Sequence, residues 1–264
     1  MLIAIAGSTG TVGTHLVRQA LAAGHDVLAL ARKPLAVAPG ADADPPAPAP
    51  GTYTAVAVDL TSSDPLDLSG VDALVDVSAI GKLRGSRAFF GAVTEKLLRA
   101  GTDAGIPHFV ALSIVGAAAH PFGYYAGKAL QEQLVEAGPL PWTVLRSTQF
   151  FEFAEQSSVS VGPFTVIVKM RSRPVAAVSV ARRLLELASG PPRGNARDLA
   201  GPDELWLAEL GRMALETRGF RQSVLEVPLP GRFGRAVRTG GSLPGPDADI
   251  DTVSYEDWLA AGAA

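Results

Sequence analysis

Residues 1–22 of the chain are MLIAIAGSTGTVGTHLVRQALA, and this stretch decides the fold class. The apolar run at residues 2–6 stops at a glycine, which is typical of a short buried strand. Apolar side chains then recur at every fourth position from Val12 to Ala20, which predicts a helix over residues 12–23. The chain is therefore expected to open with a strand, a tight glycine turn and a helix.

The same alternation continues along the first 150 residues. Further apolar runs predict strands at residues 25–31, 53–58, 73–77, 108–112 and 142–145, and apolar spacing predicts helices at 87–104 and 124–137. Residues 39–51 hold five prolines and predict a surface loop. Because parallel strands joined by right-handed crossovers leave few other topologies, we expect an α/β fold with a doubly wound, mostly parallel sheet.

The last hundred residues are less regular. They predict a strand near residues 164–169, helices near 179–188 and 203–217, and a terminal turn at 255–259. These elements predict a smaller C-terminal lobe on the substrate side of the sheet. We expect one domain over residues 1–264, with a nucleotide-binding core at 1–148 and substrate-side elements at 149–264.

Composition excludes several functional classes. Hydrophobic residues make up 47% of the 264-residue chain, enough to bury a core, and a net charge of −3 supplies no general attraction for nucleic acid. The chain has no cysteine, which excludes disulfides and thiolate chemistry, and no histidine motif predicts a metal site. The N-terminal apolar run is too short for a signal peptide, and no run is long enough to cross a membrane, so we expect a cytoplasmic protein.

The first turn has the spacing GxxGxxG at Gly7, Gly10 and Gly13. With 28 glycines in the chain this pattern is weak by itself, but a strand precedes it and a helix follows it. Backbone N–H groups and the helix dipole can hold a pyrophosphate in such a turn. The alternative is a simple tight turn. The predicted cofactor contacts in this turn are Gly7, Ser8, Thr9, Gly10, Thr11, Val12 and Gly13.

Residues that follow the next strands extend the predicted cofactor site. Arg32 and Lys33 end the second strand where NAD-specific folds carry an acidic residue, which favours the 2′-phosphate of NADP(H). The alternative is a solvated strand end. Residues after the third and fourth strands are predicted to contact the adenine and the middle of the cofactor, with ordinary loop chemistry as the alternative: Asp59, Leu60, Ser78, Ala79 and Ile80.

Tyr124 and Lys128 lie four residues apart on a predicted helix, so both side chains can face one cleft. A nearby ammonium favours a phenolate, so we expect the pKa of Tyr124 to be lowered, which would help this residue to protonate a reduced carbonyl oxygen. Ser113, just past the fifth strand, is predicted to hydrogen-bond the same oxygen. The alternative is a solvated pair on a helix surface.

Aromatic residues follow the sixth strand, where a substrate rather than the cofactor is expected. Gln149, Phe150, Phe151 and Phe153 are therefore predicted to contact a flat apolar or aromatic substrate, with a hydrophobic core cluster as the alternative. His120, in the loop before Tyr124, is predicted to line the same pocket, and the alternative is a solvated loop histidine.

These motifs together resemble the NmrA-like, atypical short-chain dehydrogenase/reductases. The strings that carry the resemblance are GSTGTVG at 7–13, LARKP at 30–34, LSIVGA at 112–117, YYAGK at 124–128 and WTVLRSTQFFEF at 142–153. The resemblance implies a Rossmann fold with NADP(H) bound at the carboxyl edge of the sheet. By position it implies a 2′-phosphate site at Arg32 and the reductase Ser, Tyr and Lys at Ser113, Tyr124 and Lys128.

The resemblance leaves two functions open. The first is an NADPH-dependent oxidoreductase that transfers hydride to an apolar carbonyl or quinone. The second is a non-catalytic NADP(H)-binding redox sensor. The Tyr–Lys pair favours the enzyme, whereas the asparagine that active reductases often carry on helix four is missing, because Asn195 is the one asparagine of the chain. We expect a monomer or homodimer that acts on a small molecule.

Overall fold

The computed structural model describes residues 1–36, 51–81, 84–153, 158–220 and 223–262. Of the predicted proline-rich loop, residues 39–50 lie outside this description. Close contacts divide the chain into two compact units, and each unit is built from several segments. The first consists of Met1–Ser113, Gly123–Leu145 and Val180–Ala196, and the second of Ile114–Phe122, Arg146–Ser179 and Arg197–Ala264.

The main sheet of the first unit has the strand order β3-β2-β1-β4-β5-β6. The pairs β1–β2, β1–β4, β2–β3 and β4–β5 are all parallel. Because β1 lies between β2 and β4, the strand order reverses beside β1, and the loops that leave β1 and β4 diverge there. The strands are β1 (Leu2–Ala6), β2 (Asp26–Ala31), β3 (Tyr53–Ala57), β4 (Ala73–Asp76), β5 (Phe109–Ile114) and β6 (Trp142–Ser147).

Helices flank this sheet, and the predicted α/β fold with a mostly parallel sheet is confirmed. The helices are α1 (Thr11–Ala22), α2 (Ser86–Asp103), α3 (Tyr124–Ala137) and α4 (Ala177–Ala188). The apolar faces of α2 and α3 share one core with buried strand residues, and this core includes Leu30, Leu74, Leu97, Phe109 and Val144. A two-residue strand, β10 (Gly194–Asn195), pairs in parallel with β6.

The second unit contains several short strands and helices. Strands β7 (Val159–Val161), β8 (Phe164–Val168) and β13 (Ser223–Val227) form a three-stranded sheet. The pairs β9 (Arg171–Ser172) with β12 (Leu205–Trp206) and β11 (Leu199–Ala200) with β14 (Asp249–Ile250) are two residues long. The helices are α5 (Leu207–Thr217), α6 (Gly231–Arg238) and α7 (Tyr255–Ala260).

The sequence predicted β8, α4 and α5 of these later elements approximately and did not predict β7, β13 or α6. β7 is three residues long, and the residues of β13 are exposed or half-buried, so neither shows the continuous apolar run that predicted β1 and β8. In the described part of the chain no helix is both long enough and apolar enough to span a membrane.

A buried histidine ties β5 to β6 in the first unit. His108, which precedes β5, is 3% exposed, and its Nε2 lies 2.8 Å from Thr143 Oγ1. Burial lowers the pKa of His108 below its ordinary value of 6.5, and a hydrogen bond with the backbone of Gly190 partly opposes that shift. Burial also lowers the pKa of His15 on α1.

We expect His108 to make the fold acid-sensitive. As the pH falls below about 6.5, the unfolded chain binds a proton at His108 before the folded chain does, so the free energy of unfolding decreases until the folded pKa is passed. The substitution His108→Gln should therefore reduce the loss of stability between about pH 7.5 and pH 5.5 in urea unfolding. His15, whose pKa is also lowered, should account for part of the loss that persists in this variant. His25→Gln, in the turn before β2, is the control, and an unchanged slope in His108→Gln would contradict the prediction.

Candidate active site

The turn between β1 and α1 requires glycine at two positions. Gly7 has φ +86°, and its N–H donates to the carbonyl of Leu30 at the end of β2 over 3.0 Å. A Cβ atom on Gly7 would lie 2.8 Å from the backbone of Ser78, and one on Gly13 would lie 2.1 Å from the Gly7 carbonyl oxygen. No side chain fits at either position, because both contacts are with backbone atoms.

The amino end of α1 is left without a side-chain cap. Gly10 is the N-cap residue, and the first turn contains no acidic residue. The first N–H groups of a helix have no acceptor within the helix, and together with the helix dipole they favour an anion. Thr9 and Gly10 are exposed there, whereas Ser8 and Val12 are buried, and the Ser8 hydroxyl donates to the Leu30 carbonyl. The turn therefore fits a phosphate group through its backbone.

The residues after β2 and β3 lie at the same edge of the sheet, because these strands pair in parallel. Arg32 and Lys33 are exposed, and Leu60 is buried in the core. Hydrogen bonds from Thr61 lower the pKa of Asp59, and the positive charge of Arg32 lowers it further. The Asp59 carboxylate thus stabilises its own turn and lies within electrostatic reach of Arg32.

Two buried hydroxyl groups lie at the ends of the neighbouring strands β4 and β5. Asp76 pairs with Ala111, so Ser78 and Ser113 each lie two residues further towards the carboxyl edge. They are 5% and 1% exposed, and neither hydroxyl has a hydrogen-bond partner among the described residues. A buried hydroxyl without a partner costs about 1–3 kcal/mol, so these groups are suited to bind a ligand. Beside them, Ala79 is exposed and Ile80 is half-buried.

Tyr124 and Lys128 contact the same aromatic ring on α2. The Tyr124 ring meets Phe90 edge to face at 5.3 Å, and Lys128 Nζ lies 4.2 Å from the centroid of the Phe90 ring. The two side chains share one helix face, as their spacing predicts. Gly127 allows this packing, because a Cβ there would lie 2.6 Å from Phe90 Cδ2 and 2.8 Å from the Ser86 carbonyl.

Lys128 is held by a buried hydrogen-bond chain. Its Nζ donates to the Leu112 carbonyl at 2.8 Å and to Gln131 Oε1 at 2.9 Å, and Gln131 Nε2 donates to Asp76 Oδ2 at 2.7 Å. Burial lowers the pKa of Lys128 to about 8, against the opposing negative charges of Asp76 and Glu132. The ammonium is therefore fixed next to Ser113, since Leu112 directly precedes that residue.

The electrostatics of Tyr124 differ from the prediction. Burial raises the pKa of the Tyr124 phenol well above its ordinary value, and the negative charge of Asp76 raises it further. The expected lowering by Lys128 is wrong for this site, because burial and the charge of Asp76 both act in the opposite direction. Tyr124 is a neutral phenol that can donate a proton.

In the second unit the predicted substrate residues lie in different environments. Phe151 is 1% exposed and packs against Tyr255 and Trp258, so it belongs to the core, which was the alternative left open. Phe153 is half-buried and packs against the same core. The predicted substrate contact is therefore wrong for Phe151, which packs in the core.

The remaining substrate-side predictions concern three residues. Gln149 is 7% exposed, and its Oε1 accepts a hydrogen bond from the Ser172 hydroxyl. Phe150 is half-buried and forms an isolated bridge with Val175. His120 is half-buried, and its ring packs close to the backbone of Gly241. A substrate role for His120 and Phe150 stays a prediction.

The sequence analysis did not identify Asp76, Gln131 or Phe90 as parts of this site. A signal for Asp76 was present, because it is the one charged residue in the apolar run ALVDV at 73–77, and a buried charge needs partners. Gln131 lies one helical turn from Lys128, which places both on one face. Within the described residues, no group of three or more acidic or histidine side chains is placed to hold a metal ion.

Comparison with solved structures supports the fold. An NADPH-dependent quinone oxidoreductase from Escherichia coli superposes with a TM-score of 0.65 at 17% identity, covering 99% of this chain and 100% of that one. A dTDP-glucose 4,6-dehydratase from Streptomyces venezuelae, solved with NAD, gives 0.68 at 19% identity, with 99% and 95% covered. The UDP-glucose 4-epimerase of Thermus thermophilus, in complex with NAD, gives 0.65 at 17% identity, with 99% and 93% covered.

Sequence comparison places the chain in a family. No curated protein matches it significantly. Residues 7–191 match the model of a family described as NAD(P)H-binding, and that segment contains the glycine turn, the buried serines and the Tyr124–Lys128 pair. The resemblance inferred from the motifs is thereby confirmed at the level of a nicotinamide-cofactor family. The chain belongs to this NAD(P)H-binding family.

Proposed function

We propose that the protein is an NADPH-dependent reductase that transfers hydride to an apolar carbonyl or quinone. The observation that carries the proposal is the connection between α3 and β5. The Lys128 ammonium, one helical turn from Tyr124, donates to the carbonyl of Leu112, which directly precedes Ser113. Among the described residues the buried Ser113 hydroxyl has no hydrogen-bond partner. An acid, a cation and a free hydroxyl at the carboxyl edge of a parallel sheet suit carbonyl reduction.

The chemical roles follow from these groups. A bound reduced nicotinamide supplies a hydride, which no side chain can provide. The Ser113 hydroxyl donates a hydrogen bond to the acceptor oxygen and favours the negative charge that develops there. Tyr124, kept neutral by burial and by Asp76, donates its proton to that oxygen. Hydride on carbon and a proton on oxygen convert a carbonyl into an alcohol.

Two observations support an apolar acceptor. The Phe90 ring packs edge to face against the Tyr124 ring at 5.3 Å. The similar structure from Escherichia coli is described as a quinone oxidoreductase that uses NADPH, and it aligns over its whole length. A quinone, like a carbonyl, requires one hydride and one proton, so the same residues serve either acceptor.

The positive charges after β2 support NADPH as the cofactor. Arg32 and Lys33 are exposed at the edge where the adenine ribose of a dinucleotide lies in this fold. A guanidinium can bind a phosphate through two parallel hydrogen bonds, whereas a ribose hydroxyl offers no such charge.

We expect Arg32→Ala to lower the ratio of NADPH affinity to NADH affinity by roughly 10- to 150-fold. This factor corresponds to the 1.5–3 kcal/mol of a hydrogen bond to a charged group. Titration calorimetry with both cofactors measures the ratio. Arg18→Ala, on the exposed face of α1, is the matched control, and a ratio that stays unchanged in Arg32→Ala would remove the proposed 2′-phosphate site.

The function itself is tested by NADPH consumption. Purified protein is assayed with a panel of quinones, aldehydes and aromatic ketones, and NADPH binding is measured in the same samples. Turnover of at least one panel member, with the reduced product identified, is the expected result. If NADPH binds and none is reduced, the proposal of a reductase with an apolar acceptor fails and the sensor function becomes the better account.

A further inference from the structure

One chain of hydrogen bonds joins three elements through the interior of the first unit. It runs from Asp76 at the end of β4, through Gln131 on α3, to Lys128 on the same helix, and ends at the Leu112 carbonyl of β5. Asp76 and Gln131 are both 0% exposed, and Lys128 is 4% exposed. Buried charges are retained only with good partners, so each link in this chain is costly to break.

The chemistry of the two ends fixes the orientation of Gln131. A carboxylate only accepts hydrogen bonds and an ammonium only donates them. The Gln131 amide therefore presents its NH₂ group to Asp76 and its oxygen to Lys128, as the distances of 2.7 and 2.9 Å show. The Gln131 amide lies between the Lys128 ammonium and the Asp76 carboxylate and is hydrogen-bonded to both.

Among the described residues, Asp76 is the charged group that acts on Lys128 from another element. The other titratable groups on the helix of Lys128 are Tyr124, Tyr125, Glu132 and Glu136. The Phe90 ring faces Lys128 from α2, and the Leu112 carbonyl faces it from β5. Asp76 acts on Lys128 from β4 through Gln131, and its negative charge also acts on Tyr124. One carboxylate thus influences both members of the Tyr–Lys pair.

We propose that Asp76 and Gln131 are positioning residues that hold the Lys128 ammonium at the end of β5, with Gln131 coupling it to the Asp76 carboxylate. This inference deepens the proposed reductase function and rests on it for its catalytic meaning. Without Gln131 the flexible lysine side chain would lose one of its two acceptors and its connection to Asp76. Without the charge of Asp76 the Lys128 ammonium would lose this electrostatic coupling.

The first test is a direct titration of Lys128. Protein labelled with ¹³C-lysine is followed by NMR from about pH 6 to pH 11, and Lys128→Met identifies the Lys128 signal. Burial lowers the pKa of Lys128 to about 8, and Asp76 opposes that effect. Asp76→Asn preserves the shape of the side chain and keeps one acceptor oxygen for the two donors, Gln131 Nε2 and the Ser78 N–H. It is expected to lower the Lys128 midpoint by about one pH unit.

Asp72→Asn is the matched control for this titration. Asp72 immediately precedes β4, at the opposite end from Asp76, so the same charge is removed far from Lys128. The Lys128 midpoint should stay where it is in the wild type. An unshifted midpoint in Asp76→Asn would overturn the inference, whatever the activity of the protein.

The second test concerns catalysis and uses Gln131→Met with Gln133→Met as its matched control. Gln133 is exposed on the same helix, two residues away. A misplaced Lys128 is expected to reduce kcat for the panel substrate by about 10- to 100-fold with a much smaller change in KM, and Gln133→Met should leave both unchanged. Equal kinetics of the two variants would overturn the positioning role.

The tests separate failure of this inference from failure of the proposed function. If the wild type binds NADPH and reduces no substrate, the reductase function fails, whereas a shifted Lys128 midpoint in Asp76→Asn still supports the coupling. If the wild type is active and the midpoint does not move, the coupling fails and the function stands. Should Gln131→Met not fold, Asp76→Asn decides, because it removes the charge of Asp76 and keeps the shape of its side chain.

Discussion

Replacing Tyr124 by phenylalanine is expected to reduce NADPH-dependent turnover by about 10²–10⁴-fold, the contribution of a well-placed proton donor. The substitution removes only the hydroxyl. The ring contact with Phe90 at 5.3 Å is preserved, so the packing of α3 against α2 and the affinity for NADPH should remain as in the wild type. The measurement is the steady-state rate with the best acceptor of the panel, together with a binding titration.

Tyr125→Phe is the matched control for this experiment. It makes the same change one residue later, at a side chain that is 8% exposed, and turnover should be retained. Near-wild-type turnover in Tyr124→Phe would remove Tyr124 as the proton donor. Because burial and Asp76 raise the pKa of Tyr124, the phenol stays protonated through the range in which Lys128, with a pKa of about 8, loses its proton.

Replacing Gly13 by alanine is expected to have the second largest effect. The new Cβ atom would lie 2.1 Å from the Gly7 carbonyl oxygen and 2.9 Å from Ser8 Cα, and neither backbone atom can move without distorting the turn. Overpacking of this kind costs about 1–3 kcal/mol of stability. If one hydrogen bond to the cofactor phosphate is also lost, NADPH affinity falls by roughly 10- to 150-fold.

A graded series makes the Gly13 prediction specific. At Gly10 the added Cβ would lie 3.3 Å from the Gly7 carbonyl oxygen, so Gly10→Ala should weaken NADPH binding less than Gly13→Ala does. Gly245→Ala is the control, because no atom lies within 4 Å of the added Cβ there. Titration calorimetry and thermal unfolding measure both effects, and equal affinity in Gly13→Ala and Gly245→Ala would contradict the prediction.

Much of the fold and part of the candidate site could be predicted because the signals are local. An apolar run, a glycine turn and a four-residue repeat within residues 1–23 predict β1, the turn and α1, and the observed helix Thr11–Ala22 differs by one residue at each end. The helix Tyr124–Ala137 agrees with its predicted limits. Spacing along a helix is also local, so the shared face of Tyr124 and Lys128 follows from sequence alone.

The electrostatics of the site could not be predicted, because they depend on residues that are distant in the chain. Asp76 and Gln131 are 55 residues apart, and only the packing of α3 beside β4 brings their side chains to 2.7 Å. Burial and the negative charge of Asp76 raise rather than lower the pKa of Tyr124. Spacing alone says which groups share a face, not which charges lie opposite them.

The same distinction separates the aromatic residues. The run QFF at 149–151 was compatible with a substrate wall or with a core, since both environments accept apolar rings. The docking of α7 beside Phe151, with Tyr255 and Trp258 at ring distances of 5.2 and 5.6 Å, assigns Phe151 to the core. Periodicity and backbone sterics act over a few residues, so the strands and helices of the first 150 residues, the glycine turn and the Tyr–Lys face follow from sequence. Burial and electrostatics act through space, so which side chains are buried together and which charges they meet depends on tertiary packing.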